Sequence, residues 1–118
     1  MNLRNTAAVL SAIAALAAAA EAQAHARLVS STPAEGATVA APKEIVLKFS
    51  EKLQPTFSNA RLMKGDAAAA SKSVVAKDRM TMVVTPAQPL SAGAYKVHWQ
   101  AVTADTHKIQ GDVAFTVQ

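Results

Sequence analysis

The sequence of 118 residues contains no cysteine and few aromatic residues, with three Phe, one Tyr and one Trp. Without cysteine the chain can form no disulfide, no cysteine-rich zinc site and no electron-transfer copper centre of the His/His/Cys kind. Its basic residues are scattered, with few aromatics between them, so we predict no nucleic-acid-binding surface. Stability must therefore come from an apolar core, with a bound ion as a further source.

The N-terminal residues have the layout of a secretory signal peptide. Arg4 precedes an apolar run over residues 7–20, which only Ser11 interrupts. Ala22-Gln23-Ala24 then gives the small-x-small pattern that signal peptidase cleaves. The run is shorter than the about 20 apolar residues of a comfortable membrane span, and it has no polar face, so a retained anchoring helix is the less favoured alternative.

Cleavage after this pattern defines the expected mature protein. Residues 1–24 would be removed on export to the periplasm, and His25 would become the first residue. Residues 25–118 are enough for one small domain and no second one.

The remainder of the chain shows short stretches of alternating apolar residues separated by Pro and Gly, which is typical of an all-β fold. The strongest stretch is 94–102, where Tyr95, Val97, Trp99 and Ala101 share the face that we expect to be buried. Residues 64–73 are predicted to form a loop and 103–110 a connection. Strands are predicted at 27–31, 44–49, 57–63, 74–76, 80–85, 94–102 and 111–117. About seven short strands indicate an immunoglobulin-like β-sandwich of two packed antiparallel sheets.

His25 is the most informative of the three histidines. Cleavage before it would free its α-amino group, so one residue would offer two nitrogen donors. The amine and the ring Nδ1 can chelate one metal ion in a six-membered ring, which a histidine inside the chain cannot do.

Asp105-Thr106-His107 supplies complementary donors. In an extended segment residues i and i+2 project to the same side, so the carboxylate and the imidazole can converge on one point. Three nitrogens and one carboxylate oxygen suit Cu(II) in a tetragonal arrangement, with zinc as the serious competitor. Taken singly, each motif also has an ordinary explanation, since an Asp-x-His segment is common in solvated turns.

Four segments together resemble one protein family. They are HARLVSSTPAEG at 25–36, IVLKFSEKL at 45–53, TPAQPLSAG at 85–93 and YKVHWQAVTADTHKIQG at 95–111. These segments are similar to the periplasmic copper-resistance proteins of the CopC family, and the resemblance covers residues 25–118.

The resemblance implies a Greek-key β-sandwich that binds Cu(II) through the amine and imidazole of His25, through Asp105 and through His107. Glu51 matches a glutamate near that site and is expected to be an outer ligand or a neighbour of the ligands, the alternative being a solvated carboxylate at a strand end. The implied function is copper homeostasis and resistance without substrate turnover. A monomer that passes copper to a CopD-like inner-membrane protein is expected.

The sequence departs from some family members in its methionines. Those members have a methionine-rich Cu(I) loop in the region of residues 62–75, where this chain has only Met63. Met80 and Met82 share one face of a predicted strand and are expected to fill the core. We therefore predict no Cu(I) site. His98 lies on the polar face of the strongest strand and is expected to be a surface residue that binds no metal.

Two other functions compete with copper handling. Polysaccharide monooxygenases also bind copper through an N-terminal histidine, but they are larger and present aromatic surfaces, and here Asp105 would fill a copper position. An immunoglobulin-like adhesion or assembly module without metal is the third interpretation.

Overall fold

This computed structural model describes residues 25–118, which form nine strands and one short 3-10 helix. Most of the longer strands have alternating apolar and polar residues. The expected signal peptide, residues 1–24, lies outside the described residues. The strands are β1 (Leu28–Thr32), β2 (Thr38–Val39), β3 (Ile45–Phe49), β4 (Asn59–Lys64), β5 (Ala67–Ala69), β6 (Ser71–Val75), β7 (Thr81–Pro86), β8 (Gly93–Val102) and β9 (Lys108–Val117). The 3-10 helix spans Pro55–Phe57.

The strands form two sheets packed face to face. One sheet has the order β1-β3-β7-β6 and the other the order β2-β9-β8-β4-β5. Neighbouring strands are antiparallel, except that the two residues of β2 run parallel to β9. The expected β-sandwich is therefore confirmed.

The core lies between the inner faces of the two sheets. Tyr95, Val97, Trp99 and Ala101 of β8 are all buried, as their alternation predicts. Phe49 of β3 meets the Trp99 ring edge to face, with centroids 5.1 Å apart. Each such large side chain contributes about 1.5–3 kcal/mol when it leaves water, so this face supplies much of the driving force for folding.

Two boundary predictions are wrong, and one short strand was missed. The segment 64–73 is not a loop, because it contains β5 and the first residues of β6. β5 consists only of alanines, which carry no alternating apolar signal, and its pairing with β4 makes it a strand. The connection predicted over 103–110 ends sooner, since β9 begins at Lys108. The two-residue β2 was not predicted, because such a short strand has no periodicity to detect.

Three segments meet at one end of the sandwich. The backbone N–H of Ala104 donates to the Lys52 carbonyl at 3.0 Å, which holds the β8–β9 connection against the segment that follows β3. The N–H of Arg27 donates to Ser50 Oγ at 2.9 Å, so the chain before β1 reaches the same place. Within residues 25–118, no helix has the length and apolar character needed to cross a membrane.

Candidate metal centre

The connection between β8 and β9 is a tight turn built around Thr103. The Thr103 side chain is fully buried, and its hydroxyl accepts the backbone N–H of His107 at 3.1 Å. The backbone N–H of Thr103 donates to the His107 carbonyl at 2.9 Å, which closes the turn. Thr106 has φ of 72°, a left-handed conformation that a β-branched residue rarely adopts. The extended geometry predicted for residues 105–107 is therefore wrong, and a turn brings the two side chains together instead.

The turn sets Asp105 and His107 side by side. Nδ1 of His107 lies 3.1 Å from Oδ2 of Asp105, and both side chains are exposed. Oδ1 of Asp105 accepts a hydrogen bond from the Thr103 hydroxyl. That hydrogen bond is the main cause that lowers the pKa of Asp105, and the charge of His107 acts in the same direction against the opposing effect of desolvation. Asp105 is consequently held as a carboxylate.

The other two predicted residues lie at the same pocket. His25, Glu51, Asp105 and His107 line a small pocket of about 110 Å³, together with Ala26 and Ile109. Glu51 is half-buried, whereas His25 is exposed. The structure thus places all four predicted residues at one pocket, although they come from three separate segments of the chain.

The metal-binding atoms of these residues do not converge on one point in this structure. In residues 25–118, no three His, Asp or Glu side chains are arranged closely enough to hold a metal ion. The side chains of Asp105 and His107 are within hydrogen-bond distance of each other. In the full-length chain, the backbone nitrogen of His25 is part of the peptide bond to Ala24 and is not a free amine. The chemistry of the set still fits a borderline divalent ion, because imidazole, amine and carboxylate are its preferred ligands.

Residues outside the pocket also have defined places. Nδ1 of His98 lies 2.7 Å from Oδ1 of Asp112 on the neighbouring strand β9, at the surface of the five-stranded sheet. Met82 is fully buried, which confirms its predicted core role, but the same prediction is wrong for Met80, which precedes β7 and is half-buried outside the core. Met63 is also half-buried. The sequence interpretation missed Thr103, although a threonine two residues before an aspartate is a typical partner in a side-chain-bonded turn.

Comparison with known proteins identifies the family. A family model described as the CopC domain matches residues 28–118. The chain belongs to the CopC family. The resemblance in the sequence motifs is therefore confirmed, and the matched region includes Glu51, Asp105 and His107.

Individual relatives agree with this assignment. The chain is 53% identical over 105 residues to copper resistance protein C of Pseudomonas syringae pv. tomato, covering 82% of this chain and 83% of that protein. The crystal structure of PcoC, a methionine-rich copper resistance protein from Escherichia coli, matches with a TM-score of 0.75 and 42% identity, covering 80% of this chain and 100% of that one. Copper transport protein CutJ of Bacillus subtilis is 30% identical over 80% of this chain, which corresponds to 18% of CutJ.

Proposed function

We propose that the mature protein begins at His25 and binds one Cu(II) ion in the periplasm for copper homeostasis and resistance. The proposal rests on the observation that His25, Glu51, Asp105 and His107 line one and the same pocket. Membership of the CopC family and relatives named copper resistance proteins support copper as the metal.

The proposed ligands follow from the donor chemistry. The freed amine and Nδ1 of His25 would chelate the ion, and His107 and Asp105 would complete three nitrogens and one oxygen. Asp105 is prepared for this role, because its hydrogen bond from Thr103 favours the ionised carboxylate. The ion would replace the contact between Asp105 and His107. Glu51 would lie beside the ion as an outer ligand or as a neighbour of the ligands.

The proposed role is binding and transfer without substrate turnover. We infer that copper passes to a CopD-like inner-membrane partner. The match to 18% of CutJ supports this step, because a domain of this kind then forms part of a longer copper transport protein. The protein itself is proposed to act as a monomer.

A copper titration followed by electron paramagnetic resonance tests the proposal. Protein that starts at His25 should bind one Cu(II) ion with a nitrogen-rich signal, and zinc should compete more weakly because Cu(II) leads the divalent first-row metals in affinity. Asp105→Ala and His107→Ala should each weaken binding, and one Gly added before His25 should remove the amine chelate and change the signal. Glu51→Gln should have a smaller effect than Asp105→Ala.

His98→Ala is the matched control, because it removes a surface imidazole that is bonded to Asp112 and lies away from the pocket. It should leave the copper signal unchanged. A copper signal that the added Gly leaves unchanged, or that changes equally in His98→Ala, would contradict the proposed ligand set.

A further inference from the structure

We propose that the end of the sandwich that carries the candidate metal centre is a docking surface for an acidic protein that accepts the copper. This inference rests on the proposed copper binding and goes beyond it, because it assigns the chemistry of the partner and the direction of transfer. It is carried by five cations at this end, here named the cationic rim: Arg27, Lys52, Lys77, Arg79 and Lys108.

Three rim cations directly flank the proposed ligands. Arg27 lies two residues after His25, Lys52 follows Glu51, and Lys108 follows His107. All three rim side chains are exposed. The hydrogen bond between Ala104 and the Lys52 carbonyl joins two of these segments. Every segment that contributes to the pocket therefore carries an exposed cation within two residues of a residue that lines the pocket.

The other two rim cations lie on the turn between β6 and β7. The backbone N–H of Leu53 donates to the Arg79 carbonyl at 2.7 Å, and Leu53 in turn bridges to Thr103. This contact holds the turn at the same end of the sandwich as the pocket. Lys77 and Arg79 are both exposed. The rim thus spans the ends of both sheets, with Lys108 on the five-stranded sheet and the other four cations next to strands of the four-stranded sheet.

Carboxylates at this end offset the charge of the rim only in part, because three acidic side chains, Glu51, Asp78 and Asp105, stand against its five cations. Asp78 accepts the N–H groups of Met80 and Thr81 at 2.9 and 3.0 Å. Asp105 is bonded within its own turn, and Glu51 lines the pocket. Within residues 25–118, the ion pairs are both between a histidine and an aspartate, and they include no lysine or arginine. The rim cations are therefore free to face a partner.

This pattern selects the chemistry of the partner. A carboxylate-lined protein surface would complement the rim and bring carboxylate and imidazole ligands to the pocket, whereas a phosphatidylglycerol surface offers only phosphate, ester and hydroxyl oxygens. Electrostatic complementarity of this kind raises association rates more than it raises affinity. A bound Cu(II) ion adds two positive charges at the pocket, less any protons that it displaces from its nitrogen ligands, so the loaded protein should associate faster than the emptied one. The difference in charge would then favour docking of the copper-loaded protein, and therefore transfer of copper from this protein to its partner.

Two synthetic acceptor peptides test the inference. Both begin with Gly-Gly-His, which binds Cu(II) through its amine, amides and imidazole, and they continue with four glutamates or with four lysines. Copper-loaded protein is mixed with an excess of each peptide, and the visible absorbance of the peptide-bound copper gives the transfer rate. At low salt the acidic peptide should receive copper about tenfold faster or more, and added salt should reduce the difference.

Two triple variants of equal net charge provide the matched comparison. Lys52→Gln/Lys77→Gln/Lys108→Gln neutralises three rim lysines, whereas the control neutralises three exposed lysines elsewhere in the sandwich, Lys43→Gln/Lys72→Gln/Lys96→Gln. The preference for the acidic peptide should shrink in the rim variant and persist in the control. Equal behaviour of the two variants would overturn the inference, because overall charge would then explain the preference.

Separate measurements distinguish the possible failures. Copper affinity of each variant is measured by titration, so that a protein that binds no copper contradicts the proposed function, whereas normal binding without a peptide preference contradicts only the docking surface. Loaded protein is also mixed with vesicles of phosphatidylglycerol and of phosphatidylcholine. Rim-dependent binding to the anionic vesicles without a peptide preference would assign the rim to lipid and overturn the inference.

Discussion

The hydroxyl of Thr103 donates a hydrogen bond to Oδ1 of Asp105 from a fully buried position. The hydroxyl oxygen of Thr103 also accepts the backbone N–H of His107, so the Thr103 side chain fixes the turn that carries both proposed ligands. Oδ2 of Asp105 is left to face the imidazole. The buried side chain of Thr103, just after β8, therefore orients the exposed side chains of Asp105 and His107.

Thr103→Val should weaken Cu(II) binding while preserving the shape of the residue. Partners that orient metal ligands are worth about 10–100-fold in affinity, and we expect a loss of about tenfold or more. The variant should also lose about 1–3 kcal/mol of stability, because the N–H of His107 loses its acceptor. Thr103→Ser should restore most of the affinity, since it keeps the hydroxyl. Titration with Cu(II) and denaturant unfolding measure the two effects.

Ser58→Ala is the control for this prediction. Ser58 is also buried, and its hydroxyl accepts the N–H of Val102 at 3.0 Å without contacting a proposed ligand. It should lower stability with no change in copper affinity. If Thr103→Val and Ser58→Ala lowered affinity equally, the effect would be general destabilisation and not ligand orientation.

Copper affinity should fall as the solution becomes acidic. Amines and imidazoles bind Cu(II) only when deprotonated, and as classes they titrate between about pH 6.5 and 8. Asp105 does not contribute in this window, because its lowered pKa keeps it ionised. A competition titration at neutral and at mildly acidic pH measures the change, with His98→Ala showing the same slope as the unmodified chain. An affinity independent of pH would exclude nitrogen ligands.

The sequence predicted the sandwich because its longest strands carry clear alternation. Tyr95, Val97 and Trp99 fall on one face of β8 in the sequence and are buried in the structure. β5 was missed because alanine has too little side chain to mark a face. Local patterns thus predict a strand only where burial on one side demands large apolar residues.

The candidate pocket was predicted from two independent clues, a free N-terminus and an Asp-x-His segment. Their meeting at one end of the fold depends on contacts that no local pattern contains, such as the one between Ala104 and Lys52. The turn at Thr106 was also beyond prediction, because a threonine with positive φ contradicts its local preference. Glu51, which lines the pocket, was linked to it only through the family resemblance.

Asp78 should make folding stability depend on pH in acid. Its carboxylate accepts the N–H of Met80 and the N–H and hydroxyl of Thr81, and these hydrogen bonds lower the pKa of Asp78, with the Met80 bond as the largest cause. Because the folded pKa lies below the unfolded value of about 3.9, this stabilisation is present above that pH and is lost as pH falls through the folded pKa. Thermal unfolding between neutral pH and about pH 3 measures the loss.

Asp78→Asn should flatten this decline, since an amide cannot titrate. Asp66→Asn changes an exposed carboxylate of the β4–β5 turn and serves as the control, which should keep the slope of the unmodified chain. A slope that is unchanged in Asp78→Asn would show that other carboxylates dominate the acid response.

Gly111→Ala should destabilise the sandwich through the Trp99 ring. Gly111 faces Trp99 across the β8–β9 pair, and an added Cβ would lie 2.7 Å from Cζ2 of the ring. The ring is buried and packed against Phe49, so it cannot retreat without disturbing the core. We expect a loss of about 1–3 kcal/mol, the usual cost of overpacking, together with a shift in Trp99 emission. Gly65→Ala should also destabilise, because φ is +59°, but its added Cβ meets nothing within 4 Å, so the emission should not move. Unaltered emission in Gly111→Ala would mean that the backbone of β9 moves and not the ring.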